Sequence, residues 1–280
     1  MAQMLDGKAL SEILFARVAE EAKALPVQPC LAVIIVGEDP ASKIYVANKR
    51  KNCEQVGFRS LEYALPADTG QAKLLALIDQ LNRDDSVHGI LCQSPLPAGY
   101  GYDEPALCRA VSPRKDVDCF HPENVGKLAL GEPGMLPCTP AGILELLDGA
   151  GISLEGKHVV IVGRSIRVGK PMVPLALMRS ATVTICHSKT QNLAEITRQA
   201  DVLVVAIGRL RFITADMVKQ GAVVVDVGMN RAEGKKVRGD VDFDAVEPIA
   251  GYITPVPGGV GPMTRAMLMQ NTLTAAKAAT

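Results

Sequence analysis

Four short runs of almost uninterrupted aliphatic, largely β-branched residues recur at regular intervals through the second half of this chain: HVVIVG (158–163), TVTIC (182–186), VLVVAIG (202–208) and AVVVDVG (222–228). Such runs suit the strands of a parallel sheet, and the stretches between them leave room for one crossover helix each. The second half therefore reads as βαβ repeats of a Rossmann-like parallel sheet. In the first half, helical periodicity at 8–24, 40–56 and 70–83 alternates with strand-like runs at CLAVIIVG (30–37), FRSLEYAL (58–65) and VHGILCQ (87–93), the pattern of a smaller open α/β sheet. A length of 280 residues suits two such units. The expected fold class is α/β in two domains, with a cleft between them.

Between the halves, residues 94 to 137 are rich in Pro and Gly and poor in periodicity, and are read as a functional or linking loop. Thr139-Pro140 then opens an interdomain helix over 139–149, with a hydroxyl at the N-cap and Pro at the first helical position. The tail from Pro262 to Ala279 has a helical pattern and is expected to pack back on the first domain. The expected division is 1–138 plus 262–280 for one domain and 139–261 for the other.

Lys plus Arg and Asp plus Glu number 30 each, and the densest basic run is Lys49-Arg50-Lys51, so a nucleic-acid partner is not expected. No stretch approaches the roughly 20 apolar residues of a membrane span, and the acidic residues in the first turns do not suit a targeting peptide. The expected location is cytoplasmic. The seven cysteines are widely spaced and never form CxxC, which suits reduced thiols that make neither a disulfide nor a metal site. His121 and His187 lack ligand spacing for zinc and are read as structural or peripheral, and DVDFD (240–244) lacks the rest of a calcium loop.

GRSIRVGKP directly follows the strand HVVIVG, with Gly163 and Gly169 flanking Arg164 and Ser165. Such a strand-to-helix turn turns backbone N–H groups and a positive helix end toward an anion. It is neither GxGxxG nor a P-loop, and a glycine turn that merely packs helix on strand is the competing reading. The next strand tips the balance. Where an NAD site places an acid for the ribose hydroxyl, this chain reads Cys186-His187-Ser188-Lys189. A hydroxyl and a cation suit a 2′-phosphate, as does Arg164, so the expected cofactor is NADP.

In SKIYVANKRKNCEQVGF, Tyr45 and Lys49 stand at i and i+4, on one face of a helix. An arbitrary pair of this kind is a solvated helix surface, but a desolvated lysine in a cleft serves as a general acid or base, and a tyrosine offers a flat face to an aromatic ligand. Gln93 ends the strand GILCQ at the carboxyl edge where open sheets place ligands. Its competing role is to satisfy backbone groups in the turn. Asp116 and Asp118, in KDVDCFHP, either cap a turn or offer a carboxylate to the paired N–H donors of a heterocycle.

Nine segments in order carry a resemblance over almost the whole chain: VGEDPASKIYVANKRKNCEQVGF, GILCQSPLP, KDVDCFHPENVGKL, PCTPAGILELL, GKHVVIVGRSIRVGKP, ATVTICHSKT, DVLVVAIGR, VVVDVGMNR and ITPVPGGVGPMTRAML. Together they resemble the bifunctional methylenetetrahydrofolate dehydrogenase/cyclohydrolase family. The resemblance implies that Lys49 is the catalytic lysine, that Tyr45 stacks along the folate, that Gln93 positions the lysine and that Asp118 anchors the pterin. It implies that the segment from Pro255 to Pro262, with Gly258 and Gly259, lines the folate pocket, and that Gly163, Arg164, Ser165, Ser188 and Met229 contact the nucleotide. It also implies a homodimer through the nucleotide domain.

The implied reaction oxidises 5,10-methylene-tetrahydrofolate to the methenyl form with NADP⁺ and then hydrolyses that to 10-formyl-tetrahydrofolate, the implied partners being such one-carbon derivatives of tetrahydrofolate. Two departures from the family pattern stand out: Ser94 where the family reads QLPLP, and Cys119 where it reads DVDGF. If residue 119 needs a positive φ, a side chain there restrains the backbone. The competing readings are a dehydrogenase without the hydrolytic step and a non-catalytic NADP- or folate-binding regulator.

Overall fold

The computed structural model describes residues 1–132, 134–231 and 236–280. In chain order its first elements are β1 (Gln3–Met4), α1 (Gly7–Lys23), β2 (Cys30–Val36), α2 (Pro40–Gln55), β3 (Arg59–Leu65), α3 (Gln71–Arg83), β4 (Gly89–Cys92), α4 (Glu104–Ala110) and α5 (Pro122–Ala129). Then follow α6 (Cys138–Gly149), β5 (His158–Val162), α7 (Gly169–Met178), β6 (Thr182–Cys186), α8 (Leu193–Thr197), β7 (Val202–Val205), β8 (Val223–Asp226), the two-residue strands β9 (Asn230–Arg231) and β10 (Val237–Arg238), α9 (Phe243–Val246), β11 (Tyr252–Ile253) and α10 (Val260–Ala279).

These elements form two compact units. One comprises Glu12–Cys138 with Arg265–Thr280, the other Met1–Ser11 with Thr139–Thr264. The first is built on a three-stranded parallel sheet in the order β3-β2-β4. Every residue of β2 is buried, as expected for a central strand with an apolar run. Leu74, Ile78 and Leu81 on one face of α3 pack against that sheet with Ile34, Ile90 and Leu107, following the helical period of three and four.

The second unit carries a six-stranded parallel sheet in the order β1-β11-β8-β7-β5-β6. The chain runs outward from β5 to β6 at the edge and then returns to place β7 on the opposite side of β5. The strand order therefore reverses between β5 and β7, and open α/β sheets bind ligands at the carboxyl ends flanking such a reversal.

Three details depart from the sequence reading. The first eleven residues, grouped above with the first domain, join the other unit because Gln3 and Met4 pair with Tyr252 and Ile253 at the edge of its sheet. Two strand residues are too few to show a period. Residues 94–137, read as a loop, contain α4 and α5, each begun by a side-chain cap and an early proline: Asp103 accepts from the Ala106 N–H and His121 from the Glu123 N–H. Helices of 7 and 8 residues are likewise too short to declare themselves by periodicity. Finally, α6 begins at Cys138, so Thr139 lies inside the first turn rather than at the cap, and its hydroxyl meets that of Thr264 at 3.0 Å.

Candidate active site

Helix α2 is started by Asp39, whose carboxylate accepts from the Ser42 N–H at 2.7 Å, with Pro40 at the first position. This fixes the phase of the helix, leaving Val46 and Cys53 buried, Lys49 half-buried and Tyr45 exposed. Gln93 extends β4 by one residue, its N–H donating to the Ile34 carbonyl at 2.8 Å. Across 44 residues of sequence, the Lys49 ammonium donates to Gln93 Oε1 at 2.7 Å. The other end of the same amide donates to the Ser94 carbonyl at 2.7 Å, so both ends of Gln93 are held and its oxygen is kept toward the lysine.

The Ser94 substitution leaves this arrangement intact. Its hydroxyl and the Leu96 N–H both bond the Glu104 carboxylate, at 3.1 and 3.0 Å, at the start of α4. The Ser94–Pro95 peptide is cis. Glu104 is a turn-holding residue that the sequence reading did not single out, because its partners are local only after α4 has formed.

The structure separates the roles of the two aspartates. Asp116 is buried and its carboxylate accepts from the His121 N–H at 2.7 Å and the Asn124 amide at 3.0 Å, so it caps the turn. Burial pushes its carboxyl above the ordinary value, against the pull of those donors. Asp118 is half-buried and receives the Cys138 thiol at 3.8 Å. Burial first of all pushes the Cys92 thiol up to about 12; the Asp118 charge adds to that and the Lys49 charge opposes it. Cys138, raised well above its usual range, feels the same two opposed charges. Lys49 and Asp118 thus act on the same two thiols, one at the end of β4 and one at the start of α6.

Asn271 on α10, absent from the sequence reading, holds the segment around Asp118. Its amide donates to the Val117 carbonyl at 2.8 Å and the Leu136 carbonyl at 2.7 Å from a site 3% exposed. Asn271→Ala leaves both buried carbonyls without that donor and is expected to lower stability by about 2 kcal/mol, read as a fall in the urea midpoint. Cys119 adopts φ 61°, in the left-handed region that glycine occupies without strain. The cysteine carries a backbone strain of roughly 1 kcal/mol.

Residues Pro255, Gly258 and Gly259 lie in the unit with the six-stranded sheet, not in the unit with Lys49. They form a tight turn in which the Gly259 N–H donates to the Pro255 carbonyl at 2.8 Å and Gly258 takes φ 115°.

The nucleotide candidates gather at the carboxyl ends of β5, β6 and β8. Gly163 takes φ 126°, and a Cβ there would collide with the Ala206 carbonyl; a Cβ on Gly169 would collide with the carbonyl of Gly163. The two glycines let the turn between β5 and α7 fold closely over the end of β7. Within that turn the Ser165 hydroxyl accepts from the Val168 N–H at 3.1 Å, and Arg164 and Ser165 are exposed. After β6, His187 accepts from the Lys189 N–H at 3.1 Å and shapes a turn that leaves Ser188 and Lys189 exposed. Met229, after β8, is 52% exposed. The donors presented are hydroxyls and cations at the ends of β5 and β6, a set that fits an anionic nucleotide with a phosphorylated ribose better than a bare ribose diol. Both histidines singled out in the sequence are structural, since His121 and His187 each bond a nearby backbone N–H through the ring. Among the described residues, no cluster of His, Cys, Asp and Glu has the makings of a metal site.

Residues 5–118 match the model of the tetrahydrofolate dehydrogenase/cyclohydrolase catalytic domain, and residues 137–280 match that of the NAD(P)-binding domain of the same family. The chain is 56% identical over 279 residues to the bifunctional protein FolD of Bordetella avium, covering 99% of this chain and 98% of that one. Among solved structures, the Campylobacter jejuni bifunctional enzyme FolD, a methylenetetrahydrofolate dehydrogenase/cyclohydrolase, superposes with a TM-score of 0.96 at 51% identity, covering 99% of each chain. The Trypanosoma brucei methylenetetrahydrofolate dehydrogenase-cyclohydrolase, solved with NADP and an inhibitor, gives 0.93 at 38% identity, covering 99% of this chain and 98% of that one. With the Lys49–Gln93 pair and the glycine turn at the strand-order reversal already in place, these likenesses close the question of kinship: the chain belongs to the tetrahydrofolate dehydrogenase/cyclohydrolase family.

Proposed function

We propose that this protein oxidises 5,10-methylene-tetrahydrofolate to 5,10-methenyl-tetrahydrofolate with NADP⁺ and hydrolyses the product to 10-formyl-tetrahydrofolate, with Lys49 as the proton-transfer group. The observation that carries this reading is the Lys49–Gln93 hydrogen bond of 2.7 Å, made on the unit that matches the family's catalytic domain. The unit with the three-stranded sheet is the folate-binding catalytic domain and the other is the NADP domain.

NADP⁺, when bound, supplies the hydride acceptor. Gly163, Arg164, Ser165, Ser188 and Met229 are the residues that hold it. What remains to the chain is binding, orientation and proton movement. Asp118 accepts paired N–H donors from the pterin edge, Tyr45 presents its ring to the flat part of the folate, and Pro255, Gly258 and Gly259 contribute the backbone of a folate-lining turn. In the hydrolytic step, water adds to the methenyl carbon, loses a proton, and the bond from that carbon to one folate nitrogen breaks. Lys49 shuttles the proton between the incoming oxygen and the departing nitrogen, which requires that it donate and accept in turn. Gln93 accepts from the ammonium at a fixed position, so the head of the lysine is aimed.

A mixture of purified protein with methylene-tetrahydrofolate, followed by absorbance with NADP⁺ and NAD⁺ in separate cuvettes, tests this reading. NADP⁺ reduction with little accumulation of the methenyl compound is expected. Methenyl build-up in step with NADPH would leave a dehydrogenase alone, and silence with both cofactors would leave a binding protein.

The same reading places a second copy of the chain on the nucleotide domain. Strand β6 is an edge of the six-stranded sheet, and Ile185 on it, with Leu177 and Met178 at the end of α7, exposes apolar side chains. An open edge with exposed aliphatics is suited to pairing with its own copy. Ile185→Lys is expected to shift the protein from dimer to monomer in analytical ultracentrifugation. Seven free cysteines accord with a reducing, cytoplasmic setting, and among the described residues no helix is long and apolar enough to cross a membrane. The 10-formyl product is a formyl donor of the kind that purine biosynthesis consumes.

A further inference from the structure

Two buried carboxylates, Asp226 and Asp240, meet beside the carboxyl ends of β7 and β8, and neither belongs to the site described above. Asp240 has no exposed surface. It accepts from the N–H groups of Ile207 at 2.7 Å, Gly208 at 2.9 Å and Arg209 at 2.8 Å, three consecutive donors in the loop that leaves β7. It also accepts from the Asn230 amide at 2.8 Å, at the start of β9, which follows β8. Asp226, at the end of β8 and 3% exposed, accepts from the N–H groups of Gly228, Asp240 and Val241, each at 2.9 Å. The packing leaves no slack, since a Cβ on Gly239 would collide with the Asp226 carboxylate and one on Gly228 with that of Asp240.

Donors this numerous around buried carboxylates make an arrangement with one geometry, because each unmet donor or displaced charge in such a place is strongly unfavourable. We propose that Asp240, itself oriented by Asp226, is a positioning residue of the nucleotide site: it fixes the backbone of the loops after β7 and β8 so that they meet the bound dinucleotide. The loop after β7 stands beside Gly163, at the reversal of strand order where the cofactor is expected. Met229 lies between Gly228, tied to Asp226, and Asn230, tied to Asp240, so the direction of the exposed methionine is set by this pair. The inference rests on the nucleotide reading above and extends it to the buried pair Asp226 and Asp240.

The test compares Asp240→Asn, Asp240→Glu and Asn230→Ala with the parent enzyme in two assays. One measures KM for NADP⁺ and kcat of the dehydrogenase; the other measures hydrolysis of methenyl-tetrahydrofolate, which uses no nucleotide and whose proposed proton-transfer pair, Lys49 and Gln93, lies on the other unit. Asp240→Asn is expected to raise KM for NADP⁺ at least tenfold with kcat at saturating NADP⁺ within threefold and hydrolysis retained. Asp240→Glu is expected to recover part of the loss, and Asn230→Ala to raise KM severalfold. An unchanged KM, or losses of equal size in both assays, would overturn the proposal. Should Asp240→Asn fail to fold, the milder Asn230→Ala decides by the same criteria. A parent enzyme that reduces no NADP⁺ would instead count against the nucleotide reading itself.

Discussion

Lys49→Met is expected to slow hydrolysis of methenyl-tetrahydrofolate by about 10²–10⁴-fold, the range that a positioned general acid or base contributes. Methionine keeps an unbranched side chain of similar bulk while removing the ammonium, so the loss reads the proton chemistry and not the fold. In the structure the ammonium donates to Gln93 Oε1, and the substitution leaves that oxygen facing a thioether. The residues proposed to hold the nucleotide lie in the other unit, so NADP⁺ binding, followed by fluorescence titration of NADPH, is expected to stay within twofold. Normal hydrolysis in this variant would remove Lys49 from the reaction. Gln93→Leu provides the companion measurement: if the amide positions the lysine, that variant loses rate but keeps a lysine-dependent pH profile.

Gly163→Ala is the second large effect. At φ 126° an L side chain is strained, and the added Cβ points into the carbonyl of Ala206 at the end of β7. Backbone strain and overpacking of roughly 1–3 kcal/mol each predict a combined loss of about 2–6 kcal/mol, enough to shift the urea midpoint clearly. The turn between β5 and α7 must also move outward, so affinity for NADP⁺ is expected to fall at least tenfold, while hydrolysis, which needs no nucleotide, is expected to survive wherever the protein is folded. Unchanged NADP⁺ affinity would show that this turn is not where the cofactor binds.

The sequence of this chain declares its longer strands. Strands β2 and β7 are fully apolar runs, and β5 and β8 are apolar but for His158 at one end and Asp226 at the other, because both faces of these strands are covered, and that condition is written in the residues themselves. The i, i+4 placement of Tyr45 and Lys49 and the two glycines after β5 are similarly local, since helix period and turn geometry act within a few residues. The motifs that mark the family are contiguous segments and could be recognised as such.

What the residues alone leave open is which partner each polar group finds. Lys49 and Gln93 are named by their segments, but that they touch follows from β2 and β4 lying side by side under α2. Asp116 and Asp118 are equivalent in KDVDCFHP, and only the folded turn makes the first a cap and leaves the second to act, with the lysine, on Cys92 and Cys138. Asn271 reads as one more polar residue in a helical tail, yet it donates to carbonyls 154 and 135 residues away. Asp240, set aside in the sequence as a failed calcium loop, becomes a knot of hydrogen bonds because β7 and β8 are neighbours in the sheet. Period and propensity act along the chain and determine where strands and helices form; the partner of a buried charge is a property of strand order, and strand order exists only in three dimensions.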